Sequence, residues 1–333
     1  MRAETTVRPP GRRQFLAAAG SLLAGGLAQS RTAGERQALI AITLDLEMSR
    51  NFPRWNDTHW DYEKGNLNED TKRYTVEACR RVRAHGGIAH CFVVGRVLEQ
   101  ENVDWLKEIL SAGHRLGNHT YDHVNVLAQN PADVQFRFRR APWLIEGKSA
   151  EEVIRENIRL TNAAMKERLG VSPLGFRTPG GFAEGLSAHP RIRRMLLDLG
   201  FTWVSSRYPA HPVPEAGKEP GADVLQGIVR AQVAAQPFRY ADGLVEVPMS
   251  PISDINAFRT GRWKLEWFLR AVRSGVEWAI ERGTVFDFLA HPSCLYVVDP
   301  EFRAIELICE LVRKAGKRAE IADLAALAAR VEK

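Results

Sequence analysis

The sequence predicts an α/β protein, a single-domain (β/α) barrel of about seven parallel strands. First, short apolar runs alternate with amphipathic segments from residue 38 onward, a pattern typical of parallel strands joined by helical crossovers. Second, polar residues follow the ends of several apolar runs, which in a parallel barrel all meet on one face. Third, 333 residues with 45% hydrophobic and 26% charged side chains can bury the core that such a barrel requires.

The predicted strands are short runs rich in Ile, Leu, Val and Phe. The first, "ALIAITLDLE" (38–47), ends in acidic residues, and the second, "IAHCFVVG" (88–95), follows a pair of glycines. A short strand edge, "RLGNH" (115–119), comes third. The remaining strands are predicted at 173–176, 201–206, 243–250 and 284–292.

Predicted helices separate and follow these strands. "NEDTKRYTVEACRRVRAHGG" (68–87) has acids in its first turn, apolar residues at helical spacing and glycines at its end, which are ordinary start and stop signals. "EEVIRENIRLTNAAMKERLG" (151–170) is a long amphipathic helix. The other helices are predicted at 102–114, 188–200, 263–283, 300–316 and 321–331.

Two irregular segments, 48–66 and 207–226, interrupt the alternation of strands and helices. In a barrel we expect such loops at the rim that carries the active site. Trp60, in the first segment, is an aromatic residue whose ring could stack on a bound substrate. Ordinary packing within the loop explains its presence equally well.

Residues 1–30 have the features of an export signal. Arg12 and Arg13 precede an apolar run, residues 15–28, that closes with Gly-Leu-Ala, a small-x-small cleavage pattern. The layout resembles the twin-arginine type. An uncleaved anchor is the alternative, but the run is shorter than the roughly 20 residues that a membrane span needs. We therefore expect an exported protein, periplasmic or extracellular, with no stable membrane insertion after the signal is cleaved.

The net charge limits the classes of binding partner, and the cysteine content limits the kinds of metal site and disulfide to expect. The formal net charge is +6, and it falls to +3 without residues 1–28, which is too little to indicate a nucleic-acid partner. The four cysteines form no CxxC pair, so a cysteine zinc site is not expected. We predict no disulfide among them: Cys79, Cys91, Cys294 and Cys309.

Candidate catalytic residues lie where predicted strands end, so a parallel barrel would bring them together in one pocket. His119 and His123 are four apart, and on a helical turn their imidazoles would share a face and could bind one cation. The alternative is a solvated helix face. Asp45 and Glu47 are two apart, and one would complete the metal site while the other acts as a base. Two exposed acids at the start of a loop are the alternative.

Two further positions fit the same pocket. Arg177 could hold a catalytic carboxylate ionised, and the turn that follows it, with Gly180, exposes backbone N–H groups that could bind an oxyanion. A surface arginine before a turn is the alternative. His291 could act as a general acid because histidine titrates near neutral pH, whereas a core or rim histidine is the simpler interpretation. The sequence leaves open which acid would orient it: Asp287, Asp254 or Asp242.

These residues stand in motifs that resemble the polysaccharide deacetylases, carbohydrate esterase family 4, with its NodB homology domain. "FVVGRVLEQENVDWLKEILSAGHRLGNHTYDH" (92–123) is similar to the region of the family's H-[ST]-x-x-H motif, "FRTPGG" to its R-x-P motif, and "FLAH" to its last motif. The resemblance implies a distorted (β/α) barrel and the following layout: signal 1–30, barrel 31–333, core motifs over 38–292, and C-terminal helices over 300–331.

The resemblance also implies the site. The metal, with zinc expected, would be held by His119 and His123, and Asp45 would be the base that activates water. Arg177 would hold Asp45, His291 would be the acid for the leaving amine, and a backbone N–H near Gly180 would help bind the oxyanion. The sequence departs from the family in three places. "TLDLE" replaces two adjacent aspartates, so the metal carboxylate would be Glu47, with the roles of Asp45 and Glu47 exchangeable. Gly180 replaces an aromatic residue, and the aspartate-tryptophan motif is not evident.

By this resemblance the protein would be a metal-dependent hydrolase that removes N-acetyl groups from amino-sugar polymers such as peptidoglycan, chitin-like chains or an exopolysaccharide. The departures keep two alternatives open. One is an amidohydrolase that acts on a small cyclic or ureido amide. The other is a non-catalytic carbohydrate-binding barrel, although a binding protein has no need of an acid, a base and a metal cluster together.

Overall fold

The computed structural model describes residues 36–58 and 64–331. Within them a sheet of nine strands has the order β6-β7-β5-β4-β3-β2-β1-β8, and β9 pairs with the start of β1. The strands are β1 Ala38–Leu46, β2 His90–Val93, β3 Arg115–Asn118, β4 Gly175–Phe182, β5 Trp203–Arg207, β6 Phe238–Arg239, β7 Val245–Glu246, β8 Val285–Ala290 and β9 Ala319–Ile321.

All strand pairs are parallel except β6 with β7. The sheet curls into a half-barrel, which confirms the predicted fold class. Between the ends of the curl, Ser250 links the segment after β7 to β8. Its N–H donates to the Asp287 carbonyl oxygen at 3.2 Å, and its Oγ accepts from the Asp287 N–H at 3.0 Å. The carboxyl ends of the strands therefore face a common opening.

Helices pack around this sheet. They are α1 Glu69–Ala84, α2 Asp104–Ser111, α3 Pro131–Val134, α4 Phe136–Arg140, α5 Ala150–Leu169, α6 Pro190–Asp198, α7 Ala222–Ala231, α8 Leu265–Arg282, α9 Pro292–Val298, α10 Arg303–Ala315 and α11 Leu324–Ala328. Local signals set their ends. Asn68 caps α1 by accepting from the Thr71 N–H at 2.8 Å, and Ser149 with Glu152 forms a capping box on α5. Within the described residues, no helix is long and apolar enough to cross a membrane.

The core explains why β1 is a rigid base for the site. All nine of its residues are buried, and it lies between β2 and β8. The side chains on one face of β1, from Ala38 to Leu46 at every second residue, join the largest hydrophobic cluster. On the other face, Leu39 and Ala41 join a second cluster, and Thr43 and Asp45 contact polar partners on β4 and β8. Removing one large aliphatic side chain from such a core costs about 2–5 kcal/mol, so the position of Asp45 is strongly determined.

Several predicted elements need correction. The strand predicted over 243–250 is a strand only at Val245–Glu246. The N–H groups of Val247 and Met249 still donate to β5, and Ser250 then bonds with β8. The segment 207–226 is not wholly irregular, since α7 begins within it at Ala222. The helix predicted over 321–331 starts after Asp323, which caps α11, and its first residue belongs to β9. Short elements went unpredicted because so few residues show no periodicity: β6, α3, α4 and α9.

The predicted export signal, residues 1–30, lies outside the described residues, and so does Trp60. The assignment of 1–30 to a signal therefore stays a prediction. The four cysteines are all described, and all are buried with free thiols. The closest approach among their sulfurs is between Cys79 and Cys91, at 3.8 Å.

Candidate active site

A cavity of about 670 Å³ opens at the carboxyl ends of β1, β3, β4 and β8. It brings together residues that are far apart in sequence, as expected for parallel strands that share a rim. Six of the predicted site residues line it: Asp45, Glu47, His119, His123, Gly180 and His291. Arg177 is fully buried beneath the cavity floor, which excludes the surface-arginine interpretation.

Glu47, His119 and His123 form a compact cluster whose ligand atoms lie within 4.8 Å of one another. Oε2 of Glu47 is 2.5 Å from Nε2 of His123 and 3.7 Å from Nε2 of His119. Asp45 lies just outside the cluster, with its Oδ2 3.8 Å from Nε2 of His119. The structure therefore groups Glu47, rather than Asp45, with the two histidines.

The histidine pair does not lie on a helical turn, contrary to our prediction. After β3 the chain forms an irregular loop in which Thr120 and His123 have positive φ, 60° and 56°. Side chains stabilise this loop, since Oδ1 of Asn118 accepts from the Thr120 N–H and Oγ1 of Thr120 accepts from the Val124 N–H. The two imidazoles still meet, with ring centroids 5.0 Å apart. An i, i+4 spacing alone does not distinguish a helix from such a loop.

The donor set fits a divalent cation. Nδ1 of His119 is 3.0 Å from the carbonyl oxygen of Arg177, and a carbonyl only accepts, so Nδ1 carries the proton. The lone pair of Nε2 then faces Glu47, which is the arrangement of a metal-ligating histidine. Oε2 of Glu47 is buried and has no hydrogen-bond partner, although it sits against the two imidazole nitrogens. Two neutral imidazoles and one carboxylate suit zinc and other first-row divalent metals.

Lys64 sets the charge of this cluster, and sequence reasoning missed it. Its ammonium donates to Oε1 of Glu47, and both side chains are buried. Burial would raise the pKa of Glu47, but His123 and Lys64 together hold that pKa well below its usual range. Burial lowers the pKa of His123 to about 4 despite the attraction of Glu47, so this histidine is neutral at pH 7. No signal in the irregular segment 48–66 pointed to Lys64.

Beneath the cavity, Arg177 joins two acidic strand residues. Its guanidinium donates to Oδ1 of Asp45 at 3.1 Å and to Oδ2 of Asp287 at 2.5 Å, and it also stacks on the ring of Phe92. Burial raises the pKa of Asp287, against the opposing charge of Arg177. Because Oδ1 of Asp45 is held by Arg177, Oδ2 is the oxygen that lies toward the histidines. The predicted contact between Arg177 and Asp45 is thus present.

Asp254 orients His291. Its Oδ1 accepts from Nδ1 of His291 at 2.9 Å, and its Oδ2 accepts from the His291 backbone N–H at 2.8 Å. The other two candidate acids are engaged elsewhere, Asp287 by Arg177 and Asp242 by Arg193. Burial lowers the pKa of His291, but the charge and hydrogen bond of Asp254, together with the charges of Glu47 and Asp45, raise it, and the net shift is upward.

The opposite ring nitrogen of His291 lies toward the other catalytic candidates. Nε2 is 4.0 Å from Oδ2 of Asp45 and 3.7 Å from Oε1 of Glu47. A base candidate and an acid candidate therefore both lie within 4 Å of the cluster formed by Glu47, His119 and His123. This proximity could not be read from the chain, where His291 is 246 residues after Asp45.

The cavity walls combine an open turn with aromatic side chains. Gly180 has a φ of +81°, and a Cβ placed there would have no heavy atom within 4 Å, so the wall is open at this position. The missing aromatic residue is replaced from other elements, since Phe136 of α4, Phe182 of β4 and Tyr208 line the same cavity. Sequence reasoning did not find these three, because nothing in their local pattern separates a cavity wall from a packed core.

Comparisons with known proteins agree with this fold. A family model described as polysaccharide deacetylase matches residues 60–204. The structure is similar to one described as a polysaccharide deacetylase from Mycobacterium smegmatis, with a TM-score of 0.59 and 16% identity over 89% of this chain and 90% of that one. A similar match, with a TM-score of 0.61 and 14% identity, covers 89% of this chain and 91% of a protein described as a polysaccharide deacetylase from Pseudomonas aeruginosa PAO1.

A structure described as PuuE allantoinase is also similar, with a TM-score of 0.61 and 13% identity over 89% of this chain and 90% of that one. At these identities the structural matches establish the fold only. No curated protein matches the sequence.

Proposed function

We propose that this chain, a member of the polysaccharide deacetylase family by its match over residues 60–204, is a metal-dependent hydrolase that removes N-acetyl groups from an amino-sugar polymer. The observation that carries the proposal is the convergence of three groups on one cavity. They are the cluster of Glu47, His119 and His123, the pair of Asp45 and Arg177, and the pair of His291 and Asp254. Each is the type of group that hydrolysis of an amide requires.

Glu47, His119 and His123 would hold the cation. A divalent cation there would lower the pKa of a water molecule and polarise the acetamide carbonyl. Asp45, held at Oδ1 by Arg177, accepts the proton from the attacking water at Oδ2. The carbonyl carbon becomes tetrahedral, and the backbone at Gly180 lies in the wall where an N–H can bind the oxyanion. His291 then donates a proton from Nε2 to the amine nitrogen as the C–N bond breaks, leaving acetate and the free amine.

Asp254 supports the final step. An acid must carry its proton at working pH, and Asp254 raises the pKa of His291 while it fixes the ring through Nδ1. Proton transfer by a positioned side chain contributes about 100- to 10,000-fold to such reactions. Asp45→Asn and His291→Ala should therefore lose turnover by factors in this range while they remain folded.

Features of the cavity support a sugar substrate. Its volume of about 670 Å³ exceeds what a single acetamide group needs, and aromatic side chains from Phe136, Phe182 and Tyr208 can stack on sugar rings. The export signal that we predict for residues 1–30 would place the enzyme in the periplasm or outside the cell. Peptidoglycan, chitin-like chains and exopolysaccharides are the N-acetylated polymers found there.

An amidohydrolase acting on a small cyclic or ureido amide is the second candidate. The open wall at Gly180 and the likeness of the fold to PuuE allantoinase favour it. The two candidates differ in the product, because only a deacetylase releases acetate. A non-catalytic carbohydrate-binding barrel is the third possibility, and it would release nothing.

Metal content tests the proposal first. Elemental analysis of the purified mature protein should show about one divalent ion per chain, and His119→Ala/His123→Ala should show none. His189→Ala, a histidine at the start of α6 outside the cavity, is the matched control and should keep the ion. Zinc should also raise the melting temperature of the parent and of the control, but not of the double variant.

Acetate release from N-acetylated polymers is then measured on the metal-loaded protein. Release that requires Asp45 and His291 would support the deacetylase. Absence of a bound ion in the parent, even with zinc supplied, would overturn the metal site. A bound ion with turnover of a cyclic or ureido amide and no acetate would overturn the deacetylase in favour of the second candidate.

A further inference from the structure

Arg259 lies in a charged position of the cavity that the proposed mechanism does not use. It belongs to a short helical segment, Ile255–Thr260, and its half-buried side chain lines the same cavity as the catalytic candidates. Asn256 of the same segment and Ser253 just before it also line that wall. The segment directly follows Asp254, which orients His291, so Arg259 is placed close to the reacting groups by one continuous element.

The other ionised side chains that line the cavity are already paired. Each has a partner of opposite charge within ion-pair distance: Glu47 with Lys64, Asp45 with Arg177, His291 with Asp254, and Asp133 with Arg139. These pairs account for the charges near the catalytic centre. Arg259 is the exception among the lining residues that the structure describes.

Within the described parts of the chain, residues 36–58 and 64–331, the guanidinium of Arg259 has no hydrogen bond or ion pair. Burial lowers its pKa, and the more distant charges of Glu47 and Asp254 only partly offset this. Arg50, an exposed residue of the segment after β1, adds a second positive charge that acts on it. A guanidinium that is partly removed from water and left without an anion is unfavourable unless a ligand supplies the anion.

Two further arginines lie near Arg259. The guanidinium of Arg262, three residues further along the chain, stacks on the ring of Trp55 at 4.9 Å, and half of Trp55 is exposed. The charge of Arg50 acts on Arg259 as well, so two more positive charges and one exposed aromatic ring lie close to it. Guanidinium groups with an aromatic surface are well suited to bind a sugar that bears a carboxylate.

We propose that the substrate bears a carboxylate and that Arg259 binds it while the acetamide occupies the site of Glu47, His119 and His123. This inference rests on the proposed deacetylase function and narrows it from N-acetylated polymers in general to anionic ones. The carboxylate can come from a lactyl ether on the N-acetylated sugar itself or from a uronic acid next to it. Both offer the planar pair of oxygens that a guanidinium binds in a bidentate way.

A different role for Arg259 makes a different prediction. If it only balanced the negative charge of Glu47 and Asp254, its removal would change metal affinity and would not distinguish neutral from anionic substrates. The two roles separate in a comparison of substrates that differ only in the carboxylate.

The test compares the metal-loaded parent, Arg259→Gln and Arg54→Gln on matched polymers. Arg54 directly precedes Trp55 in the segment after β1, but it pairs with Asp57 and does not line the cavity, so it is the control. Peptidoglycan glycan strands are used before and after chemical reduction of their carboxylates to alcohols. Hyaluronan oligomers carry the carboxylate on the neighbouring sugar, and chitin oligomers carry none.

The parent should have a higher kcat/KM for acetate release from carboxylate-bearing strands than from reduced strands. The loss of a charge-assisted contact in Arg259→Gln should cut that preference by about 10- to 100-fold, while Arg54→Gln keeps it. Activity on unreduced glycan strands assigns the lactyl ether as the source, and activity on hyaluronan assigns the uronic acid. The inference would be overturned if the parent had the same kcat/KM for reduced and unreduced strands. It would also be overturned if Arg259→Gln lost bound metal but kept the parent's preference for carboxylate-bearing strands.

Equilibrium binding separates this inference from the proposed function. If the parent releases acetate from none of the polymers, the deacetylase proposal fails, and the same oligomers are then tested as ligands. Tighter binding of the carboxylate-bearing oligomers that Arg259→Gln abolishes would sustain Arg259 as an anion site. Equal affinity of parent and variant for both forms would overturn it.

Discussion

Asp254→Asn is the substitution that best tests His291 as the proposed acid. The carboxylate of Asp254 accepts three hydrogen bonds, and two of them come from His291. Oδ1 accepts from the Ile255 N–H at 2.8 Å and from Nδ1 of His291 at 2.9 Å, and Oδ2 accepts from the His291 N–H at 2.8 Å. Asparagine has one acceptor oxygen and one donor NH₂ group. In either orientation of the amide, at least one of these donors faces another donor.

The size of the expected change in the pKa of His291 follows from the negative charge that Asp254→Asn removes. A hydrogen bond to an ionised partner contributes about 1.5–3 kcal/mol, and one pKa unit corresponds to about 1.4 kcal/mol. In the parent, Asp254, with smaller contributions from Glu47 and Asp45, raises the pKa of His291 above its usual value of 6.5 against the effect of burial. In Asp254→Asn the effect of burial remains, and the largest of the charges that raise this pKa is gone. The pKa of His291 should therefore fall by about 1–2 units.

The role of His291 as an acid determines the direction in which the pH profile of kcat should shift. An acid must be protonated, so turnover declines as pH rises through its pKa, and the alkaline limb of kcat should move by about 1–2 units to lower pH in Asp254→Asn. The free energy of unfolding should also depend on the protonation of His291. A raised pKa in the folded state contributes stability below the unfolded pKa, and that stability is lost as pH rises through the folded pKa. The parent and the variant should therefore differ most in free energy of unfolding at acidic pH.

The assay is acetate release as a function of pH, with NMR titration of the His291 ring as a readout independent of turnover. Asp242→Asn is the matched control, because Asp242 pairs with Arg193 outside the catalytic cluster. Its alkaline limb should coincide with that of the parent. An unmoved limb in Asp254→Asn, or an equal shift in the control, would refute the role of Asp254 in setting the acid.

Two further substitutions test how the fold supports the site. Arg177→Met should lower the free energy of unfolding by about 3–5 kcal/mol in urea titrations, because it leaves Asp287 buried without its counter-charge; adding Asp287→Asn should recover part of the loss, and a loss without recovery would contradict the charge explanation. Gly175→Ala should lower the melting temperature, with an expected cost of about 1–3 kcal/mol, because its Cβ would lie 1.8 Å from the Trp203 ring. An unchanged melting temperature would show that β4 and β5 can separate at this point.

Much of the fold could be predicted because its main signals are local. The apolar runs of β1, β2 and β8 are long enough to show their burial, and α1 and α5 carry their caps and terminal glycines in the sequence. Elements of two to five residues, such as β6, β9 and α3, could not be predicted from periodicity. Their existence depends on the strand or helix beside them, and one short run of residues does not specify that neighbour.

In the candidate site, too, some features could be predicted from the sequence and others could not. The sequence alone identified Asp45, Glu47, His119, His123, Arg177 and His291, because acids, histidines and an arginine at the ends of apolar strands have no packing reason to be there. A buried ion pair at Asp287 could also have been predicted, since a carboxylate inside the apolar run "TVFDFLAH" requires a cationic partner. Trp60, outside the described residues, stays a prediction.

Only the tertiary structure decided how these residues are paired. It grouped Glu47 with the histidines, selected Asp254 among three acids for His291 and placed Lys64 on Glu47. It also left the guanidinium of Arg259 without a partner among residues 36–58 and 64–331. The physical reason is that sequence determines which side chains are costly to bury alone, whereas the distances that set their pKa values and partners arise from strands and loops distant in the chain.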